Sequence, residues 1–310
     1  MGVNPYNKQT DNTSGLLQGL TQKRRRKKRG RDQRTRQQNR KRKEVRSKVI
    51  PQPTVRQQQF TEYAKLKYRV DTGSGDRITD KKGDTDIRVF LQNPNGVMGK
   101  DTYLDDRRAL LSLKEWGVDV IALPETNKNW KLEWLRSKWS SEVRRIWRHA
   151  KVYTSSISEP IDKRATFIQG GVSIIVTNKW SSRVITHGSD SLGRWVWVTL
   201  RGRQQQKITL VTMYRPNPGR VTDGATTVWS QQHTRLQEKA LAKGIVGTVD
   251  PREQCIIDFN HWTKEVINRE EKLVVLTDAN QSTQETTTSY NLKKLMEERE
   301  LTSALEIKHP

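Results

Sequence analysis

The 310-residue chain carries 58 Lys and Arg against 34 Asp and Glu, a formal charge of +24, and only 32% of its residues are hydrophobic. No apolar run approaches the roughly eighteen residues of a membrane span and the N-terminus lacks a secretory apolar core, so an intracellular protein with an anionic partner, nucleic acid first, is expected. The single cysteine, Cys255, excludes an internal disulfide framework, and the five histidines show no close metal-ligand spacing, which leaves no basis for a zinc site.

Residues 1–83 are rich in Gln, Asn, Thr, Ser, Lys and Arg and poor in apolar residues. Such a segment cannot bury enough surface to offset its ordering entropy, and it is expected to be a disordered basic tail. Between Lys23 and Lys48 sixteen cations stand against two acids, which accounts for fourteen of the net positive charges. The densest part, Lys23, Arg24, Arg25, Arg26, Lys27, Lys28 and Arg29, can neutralise phosphates non-specifically or act as a nuclear address. A merely solvated tail is the plainer alternative, but so many cations exceed what solubility needs.

Order is expected from residue 84 to 310, as one domain. Ile87–Gln92 alternates like a strand and ends in the turn-forming Asn93-Pro94-Asn95-Gly96. Asp101–Trp116 fits an amphipathic helix closed by Gly117. Val118–Leu123 is the next strand and delivers Pro124-Glu125-Thr126-Asn127. From Asn129 to Trp147 the chain is basic, and Trp130, Trp134, Trp139 and Trp147 read as a core-facing stripe. The stretch to Gln169 reads as loop.

Gly170–Val176, Trp195–Leu200 and Lys207–Tyr214 follow with no helix between them, which implies antiparallel pairing, and the third ends at Tyr214-Arg215-Pro216-Asn217. Val228–Lys243 and Pro251–Glu271 are helical by pattern, and Asp250 before Pro251 is a good N-terminal signal. Leu273–Leu276 then reads as a central strand buried on both faces, ending in Thr277-Asp278-Ala279-Asn280. Asp278 and Asn280, two apart, are expected on one face, a carboxylate and an amide suited to activating water; a plain polar turn is the alternative. A last helix spans Thr288–Arg299.

Polar side chains thus follow apolar strands at Asn93, Glu125, Tyr214, and Asp278 with Asn280. Sites commonly gather at such strand ends in layered α/β domains. In order and type these elements resemble the endonuclease/exonuclease/phosphatase superfamily, which includes pancreatic deoxyribonuclease, apurinic endonucleases, retrotransposon endonuclease domains and inositol-polyphosphate phosphatases. The matching elements are Asn93-Pro94-Asn95-Gly96, Glu125-Thr126, Gly170-Gly171-Val172, Tyr214-Arg215-Pro216-Asn217 and Asp278-Ala279-Asn280, with retroelement-type and apurinic-type endonucleases the nearest in character.

The resemblance implies an α/β fold of four layers, two mixed, largely antiparallel sheets flanked by helices. It also implies that Glu125 binds Mg²⁺, or Mn²⁺ in its place, with Asn93 beside it, that Asp278 orients and deprotonates the attacking water, and that Asn280 and Tyr214 hydrogen-bond water and phosphate. Thr277 stands where the family usually has glycine, and Gln92 where many members have tryptophan. No terminal Asp-His pair follows Asn280; His309 precedes Pro310 and is not assigned that role, so the domain is expected to lack its last strands. The reaction implied is Mg²⁺-dependent hydrolysis of DNA phosphodiester bonds, with RNA the second candidate substrate. The alternatives are a phosphatase of inositol phosphates or phospholipids and a non-catalytic nucleic-acid-binding protein with a degenerate nuclease domain.

Overall fold

Two four-stranded sheets lie face to face with helices on both outer surfaces in the computed structural model, which describes residues 82–99, 103–160, 162–281 and 290–308, all within the unit Ser74–Pro310. The cationic run 23–29, the rest of the N-terminal segment and His309 fall outside the described residues. The first sheet has the order β1 (Val89–Leu91), β2 (Val120–Pro124), β4 (Val172–Val176), β3 (Lys151–Ser155), and the second is β5 (Val184–Ser189), β6 (Trp195–Arg201), β7 (Lys207–Tyr214), β8 (Lys272–Asp278). Each sheet contains one parallel pair, β1 with β2 and β7 with β8; the remaining pairs are antiparallel. This is the expected α/β class of two mixed, largely antiparallel sheets flanked by helices.

Alternation along the strands sorts side chains into layers. Val120, Val172, Ile174 and Val176 of the first sheet meet Val196, Val198, Leu200, Leu210 and Tyr214 of the second, forming the core between the sheets. On the outer face of the first sheet, Ile121, Leu123 and Ile175 pack against α1 (Tyr103–Glu115) and α2 (Glu133–Ile146). Leu135, Trp139, Val143 and Ile146 line the inner side of α2 at intervals of four, four and three, and Trp139 Nε1 donates to Ser173 Oγ at 3.2 Å.

On the far side, α4 (Pro251–Asn268) lays Cys255, Ile256 and Phe259 on Trp195, Val211 and Met213, joined by Leu292 and Leu295 of α5 (Leu292–Glu298). Asp250 caps α4 as expected, accepting from Arg252 N at 2.6 Å and Glu253 N at 3.3 Å. α3 (Val228–Ala242) precedes α4, and these two helices make the crossover that lets β7 and β8 run parallel. The short α6 (Ala304–Lys308) ends the described chain.

Several sequence expectations are corrected. β8 is an edge strand among the described residues, pairing with β7 alone, and it is partly exposed rather than buried on both faces. Its run of branched residues reflects one face against the core and the other against α4 and α5, and does not require a second neighbour. β3 lies in the stretch read as loop; its three adjacent β-forming residues, Val152, Tyr153 and Thr154, gave no apolar-polar alternation to follow. β4 does not pair with β6, because a 3₁₀ turn at Asn178–Arg183 and the unanticipated β5 carry the chain into the other sheet. Of the tryptophan stripe, Trp130, Trp139 and Trp147 are buried but Trp134 is 55% exposed, since only Trp134 and Trp139 lie on α2 and five-residue spacing places them on different faces.

Phe259 holds the outer layer of the second sheet, its ring 5.3 Å from both Trp195 and Trp262. Phe259→Ala is expected to cost about 3–5 kcal/mol of stability, measured by equilibrium urea unfolding followed by tryptophan fluorescence.

Candidate functional site

β1 and β2 run parallel, so both deliver their next residues to the same end of the first sheet. After β1, Asn93 Oδ1 accepts from Asn95 N at 2.8 Å, closing an Asx turn with Asn95 at φ +47°. Gly96 N donates to Glu125 O at 2.8 Å and Val97 N to Thr126 O at 3.0 Å, so the turn is tied to the segment that leaves β2. With its oxygen engaged by its own turn, the Asn93 amide presents its nitrogen outward. Asn93 Nδ2 donates to Glu125 Oε2 at 2.7 Å and to Asp278 Oδ2 at 2.6 Å.

Glu125 leaves β2 in the left-handed region, at φ +56°. A long side chain there is strained, and the conformation persists because its surroundings over-determine it. Thr126 N donates to Gly171 O at 3.0 Å, Asn127 N to Gly170 O at 2.7 Å, and Asn127 Oδ1 accepts from Gly170 N at 2.8 Å. Asn127 Nδ2 also reaches Asn95 Oδ1 at 3.2 Å. Gly171 is required here: at φ +74°, an added Cβ would lie 3.0 Å from Ser155 O and 3.2 Å from Thr126 Oγ1.

The second sheet supplies the other half. Tyr214 and Asp278 are register partners on β7 and β8, so they stand side by side on the face toward the first sheet. Tyr214 is almost fully buried, and its phenol is held well above the ordinary value of 10.0, by burial first, then by the charges of Glu125 and Asp278 and a side-chain hydrogen bond to Glu125. Asn280 reaches the site by another route than expected. β8 ends at Asp278 and Asn280 sits at φ +46°, so the two side chains do not share a strand face; Asn280 Nδ2 donates to Arg215 O at 2.6 Å, and its side chain also hydrogen-bonds Tyr214.

Two arginines that the sequence motifs do not single out hold this corner. The fully buried Arg215 donates from Nε to Arg252 O at 3.1 Å and from Nη1 to Gln281 Oε1 at 2.6 Å. Arg252 donates from Nη1 to Pro216 O at 2.6 Å and from Nη2 to Asn280 O at 3.0 Å. The only sequence signal was an arginine directly after Tyr214 and another at the start of α4.

Asn93, Glu125, Tyr214, Asp278 and Asn280, named from the sequence, are therefore brought to one place at the mouth between the sheets. Two carboxylates converging on one amide nitrogen make a hard-oxygen set, and a hydrated Mg²⁺ typically takes one or two protein carboxylates and fills its remaining positions with water and phosphate oxygens. Among the described residues no group of three or more His, Cys, Asp or Glu gathers as a closed metal cage. The donor set thus fits an open site for a hard divalent cation. Asn93 acts here as the donor that positions the carboxylates, its oxygen being occupied by Asn95 N.

No protein-family model matches the sequence, and no curated protein matches it. The solved structures found similar are those of the endonuclease/exonuclease/phosphatase superfamily. They include the human Nocturnin catalytic domain with bound sulfate (12% identity over 64% of this chain and 66% of that one, TM-score 0.38). Two others are Danio rerio TDP2 humanized by 14 mutations (12%, 63% and 67%, TM-score 0.38) and the 3'-5' exonuclease NExo from Neisseria meningitidis (15%, 62% and 56%, TM-score 0.34). The chain spans 66% of the Nocturnin structure and 63% of a family protein from Leptotrichia buccalis.

The Tyr214 phenol gives a pH signature. Its folded pKa is raised, so the folded chain retains a proton that the unfolded chain releases above about pH 10; the associated stability is present below that value and lost as pH rises through it. Urea unfolding at a series of pH values from 10 upward is expected to show stability falling more steeply in the wild type than in Tyr214→Phe, by up to about 1.4 kcal/mol per pH unit.

Proposed function

We propose that this chain is a divalent-metal-assisted hydrolase of DNA phosphodiester bonds. The observation that carries the reading is the Asn93 amide joining Glu125 of one sheet to Asp278 of the other, with Tyr214 between them. The positive charge of the chain favours a polyanionic substrate over a small phosphoester. A cationic N-terminal sequence in the same chain as such a site suits an endonuclease of a mobile genetic element, whose task requires nucleic acid to be kept near.

Glu125, with Asn93 beside it, would hold Mg²⁺ or Mn²⁺, and the ion would supply positive charge to the phosphate and the leaving oxygen. Asp278 orients a water molecule and accepts its proton as the water oxygen bonds to phosphorus and the bond to the sugar oxygen breaks. Tyr214, kept protonated by its surroundings, donates to a non-bridging oxygen, where charge accumulates. Asn280, fixed by Arg215 O, keeps Tyr214 in place. Asn93 keeps the two carboxylates at working separation before substrate arrives.

Conversion of supercoiled plasmid to open circles tests this. Nicking is expected with Mg²⁺ or Mn²⁺ and to stop with EDTA, and Asp278→Asn is expected to lower the rate by about 10²–10⁴-fold. Glu125→Gln is expected to abolish both nicking and the Mn²⁺ binding seen by electron paramagnetic resonance. Nicking that survives EDTA, or Mn²⁺ binding indifferent to Glu125, overturns the assignment.

A further inference from the structure

Beside the strand-end site, the segment 162–169 carries an exposed aromatic side chain. Phe167 is 58% exposed while its neighbour Ile168 is buried with Ile157, Leu192 and Leu236. Lys163, Arg164 and Gln169 are exposed on the same short stretch. Of the exposed aromatic residues described, Phe167 is the most exposed, and Lys163 and Arg164 lie within four residues of it in the chain.

The segment is also held rigidly to the site. Asn129, with no exposed surface, donates from Nδ2 to Ala165 O at 2.9 Å and to Lys163 O at 3.2 Å, and its own N–H donates to Thr166 O at 3.1 Å. Asp162 Oδ1 accepts from Arg164 N at 2.8 Å and tightens the turn. Downstream, Gly170 and Gly171 are laced to Asn127 and Thr126. Phe167 is therefore carried by a strap running alongside residues 126–129, a few residues from the Glu125 carboxylate. Its position is fixed by hydrogen bonds from the buried Asn129 and its ring is left outside.

We propose that Phe167 is a stacking platform for an unpaired base of a nucleic-acid substrate, with Lys163 and Arg164 contacting the adjoining phosphates. An aromatic face takes any base, and cations beside it track the backbone, which is the chemistry of single-strand recognition. A duplex keeps its bases stacked on each other and offers the ring nothing, so the surface selects single-stranded or locally unpaired DNA at the cleavage site. This rests on the phosphodiesterase reading above and names the substrate form that the same site takes.

Binding measured in EDTA separates the two. Fluorescence anisotropy of the full chain is followed with a single strand of about fifteen nucleotides and with a strand of the same length whose central positions lack bases. The cationic N-terminus reads phosphates and contributes equally to both, so it cancels in the ratio. Wild type is expected to prefer the complete strand by about tenfold, Phe167→Ala to lose that preference, and Phe167→Trp to keep it. Lys163→Ala with Arg164→Ala is expected to retain the preference while flattening the slope of log affinity against log salt by about 1.4, from about 0.7 per phosphate contact on single strands. Equal affinity of wild type for the two strands, or a preference that survives Phe167→Ala, overturns the proposal. Loss of the preference in Phe167→Ala alongside a chain that cuts no DNA leaves the stacking surface standing and removes the hydrolase.

Discussion

One amide nitrogen serving two carboxylates is the interaction on which the site depends. Asn93 reaches Glu125 and Asp278, residues that come from different sheets and are far apart in the chain. Two unit charges about 4 Å apart repel by roughly 4 kcal/mol at the effective dielectric near a protein surface. Hydrogen bonds to charged acceptors return about 1.5–3 kcal/mol each. The opposing terms are of similar size, so the pair can be held together without a cation and still gains strongly when one arrives. This balance is what a binding site needs, because full neutralisation by the protein would leave nothing for the ligand to contribute.

Holding that nitrogen in place requires the fold to converge from both sides. The Asx turn that occupies Asn93 Oδ1 decides which end of the amide faces the carboxylates, and Gly96 and Val97 fasten the turn to the segment leaving β2. On the other side, the parallel pairing of β7 with β8 places Tyr214 next to Asp278. The α3 and α4 crossover is therefore a requirement of the site, since only a long connection allows that parallel pair. Left-handed residues collect at the same end: Asn95, Met98, Glu125, Asn127 and Asn280 all have φ between +46° and +56°. Asparagine tolerates that region, but glutamate does so at a cost, and the strain at Glu125 is offset by the backbone bonds on either side of it.

The residue types of the site were legible in the sequence because strand ends are marked by abrupt changes from branched apolar to small polar residues. The polar tips after β1, β2, β7 and β8 are where they were expected, and so is the capped start of α4. What the pattern could not carry was pairing. The run Leu273–Leu276 is equally compatible with a central strand or with an edge strand covered by helices, and only the register with β7 distinguishes them. The same holds for Asp278 and Asn280, where two-residue spacing gives a shared face only while the chain remains extended; the left-handed Asn280 breaks that condition. Arg215 and Arg252 were invisible as a pair for a related reason. Much of their work is done through backbone carbonyls, which every residue has, so residue type offers little clue to the partner.

Buried asparagines carry an analogous logic beyond the cluster of Asn93, Glu125 and Asp278. An amide inside a protein must satisfy both its donors and its acceptor, so burying one fixes several chain segments at once. Asn127 joins the Asn95 turn to Gly170, and Asn129 joins the next residues to the backbone of Lys163 and Ala165. Together with Asn93 they form a row in which each amide braces the loop beside it. Glu125 lies in the middle of that row, so a shift in the strap bearing Phe167 has a continuous set of hydrogen bonds through which to reach the carboxylate. Losing the Asn127 amide would leave the buried Gly170 N–H without its acceptor, at about 1–3 kcal/mol, and losing Asn129 would free the Lys163 and Ala165 carbonyls from the segment that follows Glu125.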